Sequence, residues 1–281
     1  MAYTIKNGIL SHSANAVRQV RSPNTGGPFP QPPAIAVIHF TAGGSAASSA
    51  NWFASKQNKN SSAHVVIDRD GTIIQCVPFD QVAWHAGKST WRNLSGLNRY
   101  SIGIELANWG ALQGGPGNWH NASGQKIENV FVGTHRNGNP DGSHKPIGWE
   151  AYPPAQFEAA VALVKALKAA AYPITEIVGH DDIAPVRKSD PGPAFNMARF
   201  REYALGGRDD NGANTAVIKS PGGLNLRAGP GTAHAVILLL ADGTKVLPIG
   251  LNGSWLEVTV LDSAGNPTKT GWVHSHYVDL D

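Results

Sequence analysis

The stretch AIAVIHF, residues 34–40, is a continuous apolar run, which is typical of a buried strand. The segment that follows, SAASSANWFASKQNK, predicts a helix with Ser45 available as the N-cap and with Trp52 and Phe53 on its inner face. Strands that alternate with helices in this way indicate an α/β domain with a central sheet.

Further segments continue this alternation as far as residue 205. They are the hairpin pattern HVVIDRDGTIIQC around Asp70-Gly71, the strand SIGIELA (101–107), the helix QFEAAVALVKALKAA after Pro153-Pro154, and an amphipathic helix over about 194–205. The fold class predicted for residues 1–205 is therefore α/β, with a central mixed β-sheet flanked by helices.

Residues 110–150 interrupt this pattern, because they are rich in Gly, Asn and His and show no clear periodicity. A loop of this length is usually functional or disordered, so the segment is expected to border or cover a cleft. His120, His135 and His144 lie within it, and their context favours solvated loop residues over metal ligands.

A second pattern begins beyond GGRDDNGAN, a polar stretch that predicts a linker. LNLRAGPG, TKVLPIG, SWLEVTV and GWVHSHYVDL are short strands divided by Gly, Pro and Asn turns, and they indicate a small all-β barrel. The predicted domains are 1–205, a linker at 206–213 and a barrel at 214–281. Within the barrel, Trp255, Trp272 and Tyr277 form either a binding groove or the core.

The stretch GHDDIAPVRKSDPGPAF, residues 179–195, contains residues that can bind a metal. His180 and Asp190 stand ten positions apart, with Lys188 between them. With His39 they make two imidazoles and one carboxylate, a sufficient set for a catalytic zinc, which needs three protein ligands and keeps a fourth position for water. No HExxH or CxxC…CxxC pattern competes for the role. A single strand histidine is more often structural, so His39 alone leaves both interpretations open.

These segments resemble a known family. VIHFTAGG, SSAHVVIDRDG, AWHAG, SIGIEL and GHDDIAPVRKSDPG look like the motifs, in the same order, of the type-2 N-acetylmuramoyl-L-alanine amidases. That family includes muropeptide-recycling amidases, phage endolysins and animal peptidoglycan recognition proteins. The resemblance covers roughly residues 34–205. In addition, LNLRAGPG with WLEV and GWVHSHYV resembles bacterial SH3-like domains, which often hold wall hydrolases on peptidoglycan.

The resemblance implies roles for individual residues. His39, His180 and Asp190 match three zinc ligands, with one zinc per chain, and Asp190 stands where other members use Cys, which makes the site harder. Glu105, in SIGIEL, matches a catalytic glutamate that takes the proton of the attacking water and passes it to the leaving amine. Lys188 matches a lysine that stabilises the tetrahedral oxyanion.

The two proposed catalytic residues also have ordinary interpretations. Glu105 could be a strand carboxylate that points to solvent, although an acid in an apolar strand is costly to bury unless it faces a site. Lys188 could be a surface lysine, with Arg187 beside it facing solvent.

Three further residues match positions that line the family's cleft, and the resemblance implies that they contact substrate rather than metal. They are His64, Trp84 and His85. His64 could equally be a hydrogen-bonded core histidine. Ser61 and Ser62 lack a nucleophile-elbow pattern, which excludes a serine hydrolase.

Composition and charge limit the class of protein and the kinds of partner that it could bind. The chain has 281 residues, 41% hydrophobic and 15% charged, as is ordinary for a soluble globular protein. Residues 1–207 carry 18 Lys and Arg against 13 Asp and Glu, giving +5, whereas residues 208–281 carry 5 against 7, giving −2. A basic catalytic part suits a polyanionic polymer such as a cell wall or nucleic acid. No Lys/Arg run or pattern of interleaved basic and aromatic residues supports nucleic acid.

Targeting and redox signals are few. Cys76 is the only cysteine, so no intrachain disulfide is possible, and its apolar context favours a small buried residue. MAYTIKNGILSHSANAV lacks the continuous apolar core of a signal peptide, and no stretch approaches a membrane span. We therefore expect synthesis in the cytoplasm without membrane insertion, and action there on muropeptides or at the wall after lysis or non-classical export.

Together these observations predict a zinc-dependent amidase with an SH3-like domain, whose partner is peptidoglycan and which degrades the wall as an endolysin or autolysin does. Three alternatives stay open: a cytosolic recycling amidase that acts on soluble anhydromuropeptides, a metallopeptidase that acts within the stem peptide, and a muropeptide-binding protein without activity. The presence of all three zinc-ligand residues argues against the last.

Overall fold

The computed structural model of the chain divides into two compact units, Met1–Leu205 and Gly206–Asp281. It describes residues 3–205, 215–252, 255–263, 265 and 267–280. The predicted linker at 206–213 lies outside the described residues. Among the described residues, no helix is both long enough and apolar enough to span a membrane.

The first unit combines short strands with a few helices. Its strands are β1 Tyr3–Lys6, β2 Ile9–His12, β3 Arg18–Gln19, β4 Thr25–Pro28, β5 Ile35–Phe40, β6 Val65–Ile67, β7 Ile73–Gln75, β8 Gln81–Ala83, β9 Thr90–Trp91, β10 Leu94–Ser95, β11 Ser101–Leu106, β12 Gln113–Gly115, β13 Asn118–His120, β14 Val130–Gly133, β15 Ile147–Glu150 and β16 Glu176–Gly179. Its α-helices are α1 Ala46–Ala54, α2 Pro154–Ala169, α3 His180–Ile183 and α4 Met197–Leu205, and a 3-10 turn covers Leu97–Arg99.

The central sheet confirms the predicted α/β class. Its strand order is β16-β5-β11-β6-β7-β3. The pairs β16–β5, β5–β11 and β11–β6 are parallel, whereas β6 and β7 form the predicted antiparallel hairpin, so the sheet is mixed. β5, predicted from AIAVIHF, lies inside this sheet with parallel neighbours on both sides. Because the carboxyl ends of parallel strands meet at one edge, β5, β11 and β16 all deliver residues there.

Apolar residues cover both faces of the sheet. Helices α2 and α4 pack with Ile38, Ile104 and Ile177 in the main core. Helix α1 packs with Val66 and Ile74 in a second cluster. Successive side chains of a strand point to opposite faces. His39 therefore shares its face with Ile35 and Val37, which pack with the loop residue Ala86 and the α3 residue Ile183 rather than with α2.

Several local predictions need correction or refinement. Ser45 caps α1 as predicted, since its side chain accepts from the Ser48 backbone N–H. Trp52, however, is 51% exposed, and only Phe53 of the predicted pair is buried. The last helix of the unit begins at Met197 rather than near 194.

The segment 110–150 contains more structure than its sequence indicates. It forms the antiparallel pairs β12–β13 and β14–β15. Trp149 is 1% exposed and packs against Gly192, where an added Cβ would lie 2.9 Å from the indole ring. The expectation that its histidines are solvated is wrong for His135, which is 3% exposed.

The second unit is an antiparallel sheet, as its sequence predicts. Its strands are β17 Ala216–Ile218, β18 Leu224–Arg227, β19 Val236–Leu240, β20 Lys245–Asn252, β21 Trp255–Leu261, β22 Pro267–His274 and β23 Val278–Leu280, and a 3-10 turn covers Ser275–Tyr277. The order β19-β18-β22-β21-β20-β17-β23 forms a curled all-β structure consistent with an SH3-like domain.

The core of this second unit is aliphatic. It contains residues such as Leu226, Val258 and Val273. Trp255 and Trp272 are only partly buried, and Tyr277 is 43% exposed. These aromatic side chains therefore lie outside the aliphatic core, which differs from the core interpretation.

Candidate active site

Three predicted metal ligands meet at the carboxyl edge of the central sheet. His39 is the penultimate residue of β5, and His180 is the first residue of α3, directly after β16. Asp190 precedes Pro191 on the following loop, with a cis peptide bond between them. Since β16 pairs with β5, two adjacent strands bring the histidines together, and the Asp190 carbonyl accepts from the Asp181 backbone N–H.

The three side chains converge on one point. His39 Nδ1 lies 2.9 Å from His180 Nδ1 and 3.0 Å from Asp190 Oδ2, and His180 Nδ1 lies 2.9 Å from the same oxygen. All three residues are at most 5% exposed. Among the described residues they form a group with the geometry to hold a metal ion.

The electrostatics of the group favour the protonation states that a metal needs. Burial, reinforced by the charge of His180, lowers the pKa of His39 to about 4, so its imidazole is neutral at neutral pH. Burial alone would raise the pKa of Asp190, but its close contacts with His180 and His39 outweigh burial and lower that pKa. A neutral imidazole and an ionised carboxylate are the forms that bind metal.

Glu105 lies beside this group because of strand pairing. It is the register partner of His39 on the neighbouring parallel strand, so the two side chains leave the sheet on the same face. Its Oε2 is buried and has no hydrogen-bond partner among the described residues. Burial, followed by the charge of Asp190, raises the pKa of Glu105 to about 8, although Lys188 opposes the shift. Because this oxygen is buried, Glu105 is not a strand carboxylate that simply points to solvent.

Lys188 is partly buried at the edge of the same site. Its positive charge lowers the pKa of both His39 and Glu105. Its backbone N–H donates to Ala184 O, which ties the residue to the end of α3. Arg187, expected to face solvent, is exposed as a residue, yet its guanidinium donates to Ala86 O and Lys88 O.

His85 contacts a metal-ligand histidine directly. Its Nδ1 lies 3.0 Å from His39 Nε2, and burial lowers its pKa well below the usual value. Trp84, the preceding residue, is only partly buried, and its backbone N–H donates to Ser62 Oγ.

His64 lies inside the domain, as in the second of its two interpretations. It is 0% exposed, its Nδ1 accepts from the Gly103 N–H, and its Nε2 lies 2.9 Å from Gln81 O. Both ring nitrogens are thus occupied by backbone groups, which leaves neither free for a substrate in this structure.

A supporting cluster around α3 was not apparent from the sequence. Asp181 Oδ2 lies 3.0 Å from His135 Nε2, and Asp181 Oδ1 lies 2.8 Å from the Arg136 guanidinium. Asn137 donates its side-chain amide to Asp181 O. The segment 110–150 is therefore fastened to the residue that follows His180. The acidic pair in GHDD was the only sequence signal for this contact.

Tyr152 is a second residue near the site that the sequence did not indicate. Its hydroxyl donates to Pro191 O at 2.8 Å, directly after Asp190. Burial raises its pKa well above the usual value, so it serves as a neutral donor that fixes the turn carrying Asp190.

Comparison with known proteins identifies families for both units. Residues 29–193, more than half of the chain, match the N-acetylmuramoyl-L-alanine amidase family, and residues 222–279 match the bacterial SH3 domain family. The chain is 37% identical over 152 residues to 1,6-anhydro-N-acetylmuramyl-L-alanine amidase AmpD of Escherichia coli K12, which is 53% of this chain and 62% of that protein. It is 32% identical over 184 residues to N-acetylmuramoyl-L-alanine amidase AmiD of the same strain, which is 63% of this chain and 55% of that protein. The chain thus spans less than two thirds of the length of these curated relatives.

Two solved structures are also similar to this chain. A crystal structure of a selenomethionine derivative of AmpD has a TM-score of 0.49 and 30% identity, and the match covers 71% of this chain and 98% of that one. The complex of E. coli AmiD with anhydro-N-acetylmuramic acid-L-Ala-D-γ-Glu-L-Lys has a TM-score of 0.43 and 28% identity, and the match covers 72% of this chain and 65% of that one.

Proposed function

The chain belongs to the N-acetylmuramoyl-L-alanine amidase family, and from this premise we propose that it hydrolyses the amide bond between N-acetylmuramic acid and L-alanine in peptidoglycan. The observation that carries the proposal is the convergence of His39, His180 and Asp190 beside Oε2 of Glu105, which has no hydrogen-bond partner in the part of the chain that the structure describes. Three buried metal ligands next to a buried proton acceptor are the parts that a metal-dependent amide hydrolase needs.

We propose zinc as the metal, one ion per chain, held by His39, His180 and Asp190. Two imidazole nitrogens and one carboxylate oxygen fit its preferred donors and leave a fourth position open. The neutral histidine, the ionised aspartate and the converging atoms support this fit. When bound, zinc supplies Lewis acidity that polarises a carbonyl and activates water.

Glu105 would move the proton in this reaction. Its raised pKa belongs to the protein without the ion, and a nearby cation lowers a carboxyl pKa. The carboxylate then takes a proton from water as the water oxygen adds to the carbonyl carbon. As the C–N bond breaks, Glu105 gives that proton to the nitrogen of L-alanine. Lys188, partly buried at the same edge, would donate to the carbonyl oxygen as negative charge develops on it.

We propose the polymeric wall as the substrate of the whole chain. The SH3 domain family match at residues 222–279 supports this choice. So do Trp255, Trp272 and Tyr277, which lie outside the aliphatic barrel core and offer apolar faces to a ligand. Aromatic side chains of this kind supply contact area at small conformational cost.

A second candidate is a recycling amidase that acts on soluble anhydromuropeptides. The observation in its favour is the similarity to AmpD, which is named as a 1,6-anhydro-N-acetylmuramyl-L-alanine amidase. The chemistry at the metal is the same for both substrates. They differ in whether the sugar belongs to a polymer or to a released fragment.

Mass analysis of digested peptidoglycan tests the proposal. Sacculi and purified anhydromuropeptides are each incubated with the zinc-loaded protein, and the products are separated and sequenced. Stem peptides with a free N-terminal L-alanine are expected. New termini within the stem indicate a peptidase instead, and the absence of products from either substrate contradicts the proposed activity. The ratio of the two rates separates the wall from the recycling substrate.

A further inference from the structure

One short loop contacts the outer nitrogens of both metal-ligand histidines. The loop is residues 84–88, which overlap the motif AWHAG at residues 83–87, and it is called here the AWHAG-side loop. His39 Nε2 lies 3.0 Å from the His85 ring, and His180 Nε2 lies 3.3 Å from Ala86 O. Two consecutive loop residues therefore face the two histidines on the side away from the metal-binding nitrogens.

The contact with His180 decides which of its nitrogens carries a proton. A carbonyl oxygen can only accept, so His180 Nε2 donates to Ala86 O. Arg187 Nη2 lies 3.5 Å from the same nitrogen, but its two protons are directed at the shorter contacts with Ala86 O and Lys88 O. A neutral imidazole protonated at Nε2 has a free lone pair on Nδ1. That is the nitrogen that points at Asp190 and His39.

For His39, the nitrogen that carries the proton is determined through His85 by the contacts of His85 with Ser101. The Ser101 hydroxyl donates to Leu97 O at 2.6 Å, so toward His85 it offers only acceptors, its hydroxyl oxygen at 3.3 Å and its carbonyl at 3.4 Å. His85 Nε2 must therefore carry the proton, which leaves His85 Nδ1 as an acceptor. His39 Nε2–H donates to it, and the lone pair of His39 Nδ1 is left for the metal.

The loop is held in place independently of the histidines. The Asn98 side-chain oxygen accepts from the backbone N–H groups of His85 and Ala86 at 3.1 and 2.7 Å. Arg187 Nη2 donates to Ala86 O at 3.0 Å and to Lys88 O at 2.9 Å. The carbonyl that orients His180 is thus also the carbonyl that Arg187 holds.

We propose that the AWHAG-side loop sets the tautomer and orientation of both histidine ligands, and that His85 and Arg187 are positioning residues for the metal. This inference rests on the metal binding of the proposed function. In this proposal His85 orients the metal ligand His39, instead of contacting the substrate as the sequence predicts. Loss of such an outer hydrogen bond typically weakens metal binding 10–100-fold.

The test measures zinc affinity of the full chain by competition with a chelator. His85→Leu removes the acceptor of His39, whereas His85→Asn keeps an oxygen near the position of Nδ1. Arg187→Ala removes, at an exposed position, the guanidinium that holds the loop. Arg18→Ala is the matched control, because Arg18 is an exposed arginine on the edge strand β3. Melting temperatures of the metal-free proteins report whether each variant folds.

The zinc dissociation constant is expected to rise about 10–100-fold in His85→Leu and Arg187→Ala, to stay within a few-fold in His85→Asn, and to be unchanged in Arg18→Ala. Long-range proton–nitrogen NMR spectra of the zinc-loaded wild type should show protons on Nε2 of His39 and His180. If the wild type binds zinc and both His85→Leu and Arg187→Ala bind it with the same affinity, this inference is wrong but the proposed function is not. A proton on Nδ1 of either ligand histidine also overturns it. A wild type that does not bind zinc overturns the proposed function with it.

Discussion

Glu105 and His39 occupy the same level of two neighbouring parallel strands, and both side chains leave the sheet on the face that carries the metal ligands. The pairing register of β11 with β5 therefore sets the distance between a proton carrier and a metal ligand. A slip of one residue would turn Glu105 to the opposite face, among the residues that pack against α2. The site depends on the register of the sheet as much as on the identity of its residues.

Replacement of Glu105 is expected to abolish proton transfer while zinc stays bound. Glu105→Gln keeps the size of the side chain but removes the carboxylate, and Glu105→Ala removes both. Each should lower the turnover of muropeptides about 10²–10⁴-fold. Zinc content by elemental analysis should match the wild type. Near-normal turnover in either variant would remove Glu105 from the mechanism.

Loss of Asp190 is expected to prevent stable zinc binding. Asp190→Ala leaves two imidazoles without the carboxylate oxygen that lies within 3.0 Å of Nδ1 of each. We expect zinc occupancy to fall from one ion per chain to a small fraction after dialysis. Asp141→Ala, at an exposed loop position, is the control. Full occupancy in Asp190→Ala would show that this carboxylate does not bind the metal.

Gly103 is expected to tolerate no side chain, because the His85 ring lies against it. A Cβ at this position would meet His85 Cγ at 2.3 Å, and the Gly103 N–H is already held by His64 Nδ1. Gly103→Ala should displace the His85 ring, destabilise the fold by about 1–3 kcal/mol and weaken zinc binding. Gly115→Ala is the control, since a Cβ there meets nothing within 4 Å. Chemical denaturation and chelator competition measure the two effects. Equal values for both variants would contradict the packing argument.

His64 should make the metal-free protein less stable in acid. Burial lowers its pKa in the folded state to about 4, below its value of about 6.5 when unfolded. Between these two values the unfolded chain binds a proton that the folded chain does not, so the free energy of unfolding falls as the pH falls. Above about pH 6.5 the contribution is constant. The full loss corresponds to about 3 kcal/mol.

Urea unfolding between about pH 7 and pH 4 measures this dependence. His64→Gln should be less stable than the wild type near pH 7, because packing is lost. Its free energy of unfolding should nevertheless fall less steeply as the pH falls. The difference in slope should correspond to at most about one proton taken up on unfolding. Parallel curves for the two proteins would show that His64 does not contribute.

Cys76 should be chemically inert in the folded protein. Burial, aided by the charge of Glu105, raises the pKa of its thiol to about 12. Near pH 8 only about one thiol in 10⁴ is then ionised, and the thiolate is the reactive form. Iodoacetamide should label Cys76 only after the protein is denatured, as peptide mass spectrometry would record. Rapid labelling of the native chain would contradict its burial.

Removal of the second unit should affect the wall more than soluble substrates. A chain that ends at Leu205 keeps every proposed catalytic residue, so its rate on soluble muropeptides should match the full chain. Its rate on sacculi should fall, because tethering raises the local concentration of enzyme on the polymer. The double variant Trp255→Ala with Tyr277→Ala tests the same point in the full chain. Unchanged digestion of sacculi, together with failure of residues 213–281 to sediment with them, would favour the recycling substrate.

Patterns of neighbouring residues in the sequence were sufficient to predict the main strands, the hairpin and the first helix. The apolar run of β5, the Asp70-Gly71 hairpin, the Ser45 cap and the strand SIGIELA are each fixed by neighbouring residues, so the sequence alone predicts them. The candidate ligands His39, His180 and Asp190 are scattered along the chain, and they were named from their residue types and from the resemblance of their segments to a known family.

Only the tertiary structure decided how those residues face one another. Whether His85 lies against His39, whether His135 is solvated or paired with Asp181, and whether Trp52 is inside or outside all depend on segments distant in the chain. Hydrogen-bond partners and burial are set by three-dimensional packing, which residue spacing does not encode. The sequence by itself thus supplied the residues of the candidate site, and the tertiary structure decided which of their atoms point at it.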